Sequence, residues 1–156
     1  MNVIGIDIDT RKIALASYDG IVLTTELIKA TNKAFEERYK ELILGSDDWM
    51  GKKVYKNKEK VVVFIEEPAF VQNRRAVIQL AKVFSVIATL CCLNNVPCFG
   101  VNNMIWKKGI LGDGRASKEK IKEFALLAFG EYLKGKTQDE MDASLIAKWG
   151  WLRLNN

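Results

Sequence analysis

Four carboxylates stand out by type and position. Asp7 lies in Ile4-Gly5-Ile6-Asp7-Ile8-Asp9, near the end of an apolar run with strand character, and Glu66 ends a second such run, Val61 to Glu66. If the two strands are neighbours, both acids lie close together on one sheet. Strand alternation puts Glu66 and Glu67 on opposite faces, so only one of them can share a site with Asp7. Asp139 and Asp142 are three residues apart in a segment with helical patterning, which puts both on one helical face. Carboxylates gathered without cations repel one another and resist ionisation. Hard divalent ions remove that conflict, because Mg²⁺ and Mn²⁺ take oxygen ligands and Mg²⁺ is commonly shared with phosphate oxygens. Two ions about 4 Å apart stabilise both the attacking and the leaving oxygen of a phosphodiester. Taken singly, each acid also has a structural explanation: a strand-end Asp is often a turn residue, and Asp139 suits the positive end of a helix dipole. Glu66 resists this treatment, since a carboxylate in so apolar a strand is costly unless paired or metal-bound.

The sequence has no histidine, which removes Ser-His-Asp triads, Cys-His pairs and His-ligated zinc. Carboxylates, lysines and metal ions are the tools left for catalysis. The net charge of +5 and pI near 9.1 favour a polyanionic partner. Cys91, Cys92 and Cys98 form no C-x-x-C pair and sit in apolar stretches, so they are expected to be small buried residues in a reducing compartment. Met1 runs straight into a strand-like segment, so no secretion signal is expected. No unbroken run of about 18 apolar residues occurs, so no membrane span is expected either. The 156 residues suit one domain, 1–156, with no linker or repeat.

The elements that must carry the acids follow from periodicity. Asn2 to Ile8, Lys12 to Tyr18 and Ile21 to Ile28 read as three strands, the last two joined by an Asp19-Gly20 hairpin. Thr31 to Leu44 reads as a helix stopped by Gly45 and Ser46-Asp47-Asp48, with an irregular basic segment from Gly51 to Lys60. Val61 to Glu66 reads as a strand buried on both faces. A long helix follows from about Val71 to Leu93, with one apolar stripe through Val77, Leu80, Ala81, Phe84, Ile87, Ala88 and Cys91. Val83, Val86 and Leu90 make a second stripe, which in so small a domain another subunit could cover. Pro97 to Val101 is a fifth strand, and Gly109 to Arg115 reads as a loop. Ser117 caps the next helix, and Thr137 with Glu140 forms a capping box for the last. The order predicts an α/β fold: three antiparallel strands, then α/β crossovers, giving a mixed sheet flanked by helices.

Basic residues cluster in two places. Lys107, Lys108, Arg115, Lys118, Lys120 and Lys122 outnumber Asp113 and Glu119 between residues 102 and 122. Lys52, Lys53, Lys56, Lys58 and Lys60 face only Glu59 between 51 and 60. Arg74 and Arg75 open the long helix. Cations near an acidic site offset its repulsion of a nucleic-acid backbone and position phosphates; a solvated surface is the other reading of such runs. Trp106 reads as a core residue or as a base-stacking one.

With these residues in view, the chain resembles the RuvC family of Holliday junction resolvases. Gly5-Ile6-Asp7, Ile65-Glu66 and the D-x-x-D-A of Asp139 to Ala143 carry the resemblance, and their separations fit over nearly the whole chain. The resemblance implies a ribonuclease-H-like fold with a mixed five-stranded sheet. It assigns Asp7, Glu66, Asp139 and Asp142 as ligands of two Mg²⁺ ions, with Mn²⁺ as a substitute, and Lys107 and Lys118 as catalytic lysines near the scissile phosphate. It further implies a homodimer acting on branched DNA, a four-way junction, with paired symmetric nicks that leave 5′-phosphate and 3′-hydroxyl ends. Phe70, Arg74, Arg75, Lys107, Lys108, Arg115 and Lys118 are the expected DNA contacts. A cytoplasmic location in a prokaryote or a phage-infected cell is expected. Three departures are visible: Ile8-Asp9 replaces the family's Pro-Gly, its aromatic after the catalytic Glu is displaced to Phe70, and the loop Gly112 to Arg115 differs. Phe70 can insert at a junction or pack in the core, and Asp9 can join a metal shell or simply turn the chain. Competing readings are a ribonuclease H, a sugar-kinase or actin-like ATPase (whose first strand also reads G-I-D), and a non-catalytic junction-binding protein.

Overall fold

The computed structural model describes residues 1–55, 60–68 and 73–155. Strands β1 (Asn2–Ile8), β2 (Lys12–Tyr18), β3 (Leu23–Lys29), β4 (Val61–Glu66) and β5 (Cys98–Val101) form one sheet in the order β3-β2-β1-β4-β5. β1, β2 and β3 are antiparallel, while β4 and β5 join in parallel. Helices α1 (Phe35–Lys53) and α2 (Arg74–Leu93) cover one face, and α3 (Asn103–Leu111), α4 (Lys118–Phe129) and α5 (Gln138–Asn155) cover the other. This is the mixed, helix-flanked sheet the sequence predicts.

Side-chain parity fixes which face each residue serves. On β1, Ile4 and Ile6 join the α1/α2 core with Ile13 and Leu15 of β2, while Val3 joins the α5 core with Ala14 and Ala16. On β4, Val61, Val63 and Ile65 face α1 and α2, and Phe64 faces α5. Both faces of the central strands are therefore buried, as their unbroken apolar composition requires. At Gly5 helix α5 nearly touches the strand: an added Cβ would lie 2.1 Å from the Ala143 carbonyl oxygen and 2.5 Å from the Ala147 nitrogen. That close approach brings the first turns of α5 down onto the end of β1.

Several expected boundaries shift. β3 begins at Leu23 rather than Ile21, because the Asp19 carboxylate accepts from the Ile21 and Val22 amides at 2.9 and 2.7 Å and holds both residues in the turn. α1 begins at Phe35 rather than Thr31, since Glu41 ties down Thr31 and Asn32 in a non-helical lead-in. It then continues through Gly45, which lies under Ile28 (a Cβ there would meet Cγ2 at 2.8 Å), so this glycine allows close packing instead of ending the helix. Lys52 and Lys53 fall in the last turn of α1, where cations suit the helix dipole. Residues 103–111 form α3, so only the end of the expected 109–115 loop is a loop. Asn102 caps α3 through the Met104 amide, and Gly112, at φ +73°, ends it.

α2 also differs from its predicted stripes. Val83, Ile87 and Cys91 are buried, Phe84 is half-buried, and Ala81 is exposed. Ile78 and Leu93 are 58% and 74% exposed, so a second apolar side faces solvent. By length and composition α2 could cross a membrane, a property hidden in the sequence by its interrupted apolar run; here it lies on the sheet. Of the thiols, Cys91 is buried as expected and Cys98 half-buried, but Cys92 is exposed.

Candidate functional site

The four acids meet at one end of the sheet. The parallel register sets Ile6 opposite Ile65, which carries Asp7 beside Glu66 one step further on. Parity points both towards α5: Val3, Gly5 and Asp7 alternate with the inward isoleucines, and Phe64 and Glu66 do the same on β4. Glu67 faces away from them and is exposed. The capping box that starts α5 forms as predicted, with Glu140 accepting from the Thr137 amide at 3.0 Å and the Thr137 hydroxyl accepting from the Glu140 amide at 3.3 Å. It fixes the first turn of α5, so Asp139 and Asp142 stand over the ends of β1 and β4.

Their electrostatics record the crowding. Asp7 is held well above the ordinary aspartate range, first by burial and then by the charges of Glu66, Asp142, Asp139 and Asp9. Burial also raises Glu66, against a hydrogen bond from Trp106 and the nearby Lys107 charge. Asp142 is pushed up to about 6 by burial; Gln138 and Lys107 act against the rise, Glu66 and Asp139 with it. Such a set of oxygen donors has the chemistry that hard divalent ions take.

The acids are nonetheless held apart. Trp106 donates its Nε1–H to Glu66 Oε2 at 2.7 Å, and Gln138 donates to Asp142 Oδ1 at 2.7 Å. The Lys12 ammonium pairs with Asp139 Oδ2, which raises the ammonium's pKa above its ordinary value. Asp7 accepts no hydrogen bond among the described residues. In keeping with this, no three acidic, histidine or cysteine side chains among the described residues already surround a single point.

The remaining expected residues divide by position. Lys107 reaches the site, as its effect on Glu66 and Asp142 shows. Lys118 is exposed in the first turn of α4. Lys108 and Arg115 line a separate concavity with Ile105, Trp149 and Arg153, which none of the four acids lines. Arg74 and Arg75 are exposed in the first turn of α2, just after its Asn73 cap. Phe70 lies outside the described residues. Asp9 serves as a turn residue, accepting from the Arg11 amide at 2.9 Å, although its charge still reaches Asp7. Lys52 pairs with Asp48 at 2.5 Å, and Lys60 precedes β4 at the end opposite Glu66, about 17 Å of strand away, while Lys56 and Lys58 lie outside the described residues.

Sequence reasoning missed Lys12, Trp106 as a Glu66 partner, and Gln138. Trp106 is fully buried, which rules out base stacking. For Lys12 a signal existed: Ala14 and Ala16 face α5, so residue 12 must share that face at the site end of β2.

The fold has clear relatives among solved structures. Thermus thermophilus RuvC in complex with a Holliday junction substrate superposes with a TM-score of 0.80 at 18% identity, over 99% of this chain and 96% of that one. A second Thermus thermophilus RuvC structure gives 0.75 at 18% identity, over 99% and 97%. No protein-family model matches the sequence, and no curated protein sequence matches it. Across 99% of its residues the chain therefore has the ribonuclease-H-like fold of the Holliday junction resolvase RuvC.

Proposed function

We propose that this protein is a divalent-metal-dependent, structure-selective endodeoxyribonuclease that resolves four-way DNA junctions in recombination and repair, acting as a homodimer in the cytoplasm of its cell. The observation that carries the proposal is the meeting of Asp7, Glu66, Asp139 and Asp142 at one sheet end of a RuvC-like fold. Four half-buried, mutually repelling acids destabilise a protein that has no use for them.

In this reading the four acids hold two Mg²⁺ or Mn²⁺ ions, which supply the Lewis-acid chemistry for water attack on a phosphodiester. The chain's own groups do the rest. Trp106 holds Glu66 at the end of β4, and Gln138 fixes Asp142 through one turn of helix. Lys107, half-buried beside both acids, offers an ammonium to the phosphate and offsets the site's repulsion of DNA. Arg74, Arg75, Lys108, Arg115 and Lys118 are exposed cations suited to the arms of a branched duplex. Two cuts in strands of like polarity need two sites, and the exposed apolar side of α2, with Ile78 and Leu93, suits a second copy.

A cleavage assay on a synthetic immobile junction with Mg²⁺, beside linear duplex and RNA–DNA hybrid, tests the proposal. Paired symmetric nicks confined to the junction are expected. Cutting of the hybrid alone would make the protein a ribonuclease H. Tight junction binding without cutting under either metal would make it a non-catalytic binding protein.

A further inference from the structure

Lys12 sits at the first residue of β2, on the face that carries Ala14 and Ala16 towards α5. Its side chain is 38% exposed and its ammonium rests on Asp139, whose own side chain is 23% exposed. The neighbouring strand sets Lys29 directly across from it, and parity through Leu23 and Leu27 puts Lys29 on the same sheet face. Asp139 is thus the one acid of the four in a direct ion pair among the described residues; Glu66 and Asp142 are hydrogen-bonded by neutral donors, and the Lys107 charge acts on them without such a contact. A neutral donor costs an incoming divalent ion only a hydrogen bond. An ammonium competes for the same oxygen and also repels the ion through its charge.

From this geometry, and resting on the metal-dependent reading above, we infer that Lys12 is a positioning residue: its ammonium occupies Asp139 in place of a divalent ion and must be displaced for the site to load. The contact explains how a chain with four crowded acids folds before any ion arrives, because one of the four is neutralised internally. It also links loading to substrate. A DNA phosphate entering the site offers the ammonium of this partly exposed side chain another anion, and each ammonium that moves to phosphate frees an Asp139 oxygen for the ion. Lys12 therefore sets the metal affinity of the free protein below what its acids alone would give.

The test is Mn²⁺ binding to the full chain without DNA, read from loss of the free-ion paramagnetic resonance signal. Lys12→Met is expected to bind Mn²⁺ roughly three- to tenfold more tightly than wild type, the scale of a partly exposed ion pair plus one nearby charge. Lys12→Arg keeps the cation and is expected within about twofold of wild type. Lys29→Met removes the same charge one strand over without touching Asp139, and a gain under twofold is expected there. Unchanged or weaker binding by Lys12→Met would overturn the inference, as would an equal gain from Lys29→Met, which would reduce the effect to bulk charge. A wild type that takes up no Mn²⁺, or uptake that survives Asp7→Asn, would overturn the metal reading itself and the role of Lys12 with it.

Discussion

Helices α2 and α5 reverse what their compositions suggest. α2 is apolar enough to span a membrane, yet only Val83, Ile87 and Cys91 of its 20 residues are buried. α5 opens with Gln138-Asp139-Glu140 and carries Lys148 and Arg153, yet nine of its 18 residues are buried, including Glu140 and Ser144. The difference lies in position. α5 crosses the centre of the sheet at Gly5 and Gly150 and delivers two acids to the ends of β1 and β4. α2 lies on the other face, covers the sheet with one narrow stripe and leaves an apolar side in water. A buried helix of mixed composition marks where the chemistry is held, and an exposed apolar one marks where a partner is expected.

Changes on the two helices should therefore fail differently. The largest effect is expected from Gly5→Ala, whose Cβ would overlap the backbone of α5 and which has no flexible side chain to displace. Urea unfolding should show a loss at or above the upper end of the usual overpacking cost, about 3 kcal/mol; a loss under about 1 kcal/mol would mean that α5 does not pack against β1 at Gly5. Trp106→Phe keeps the packing but strips Glu66 of its donor, so a loss of about 1–3 kcal/mol is expected in the same experiment.

Asp142 gives a test with a defined pH window. Its folded pKa, near 6, lies above its ordinary value of 3.8, so the folded state binds the proton more tightly than the unfolded chain. That stabilisation is complete below about pH 4 and is lost as pH rises through about 6. Without metal, Asp142→Asn should melt with wild type at pH 4 and on the order of 4 °C above it at pH 8. Adding Mg²⁺ at pH 8 should raise the melting point of wild type and not of the variant. A constant offset across this range would remove Asp142 from the crowded set.

On α2, Ile78→Lys should leave protomer stability within about 0.5 kcal/mol and convert a dimer to monomer in analytical ultracentrifugation. An unchanged dimer would place the interface elsewhere. The smallest effect is expected of Lys107→Ala, which should slow cutting and lower the salt slope of junction binding by about one; a slope and a rate both equal to wild type would remove Lys107 from phosphate contact.

Much of this was legible from residue order because strand alternation is rigid. The parity that separates Glu66 from Glu67 and points Asp7 at α5 is readable from the apolar runs alone, and the Thr137–Glu140 cap announced the start of α5. What was not legible depended on contacts across the sheet. Gly45 reads as a helix stop until Ile28 is seen above it, and α3 was hidden because Gly109 looks like a loop residue until Trp149 is seen against it. Lys12 and Trp106 have ordinary local contexts, and only the tertiary register reveals that each holds an acid. Sequence-based reading placed the acids but not the groups that restrain them.

Asp7→Asn tests the central claim most directly, because Asp7 is the acid with no hydrogen-bond or ion-pair partner among the described residues and has the most crowded charge environment. Its cleavage and binding should be measured side by side on an immobile four-way junction with Mg²⁺. The account expects binding within a few-fold of wild type and cleavage reduced at least about a thousandfold. Cleavage at near wild-type rate would contradict the assignment of the four acids as a metal site.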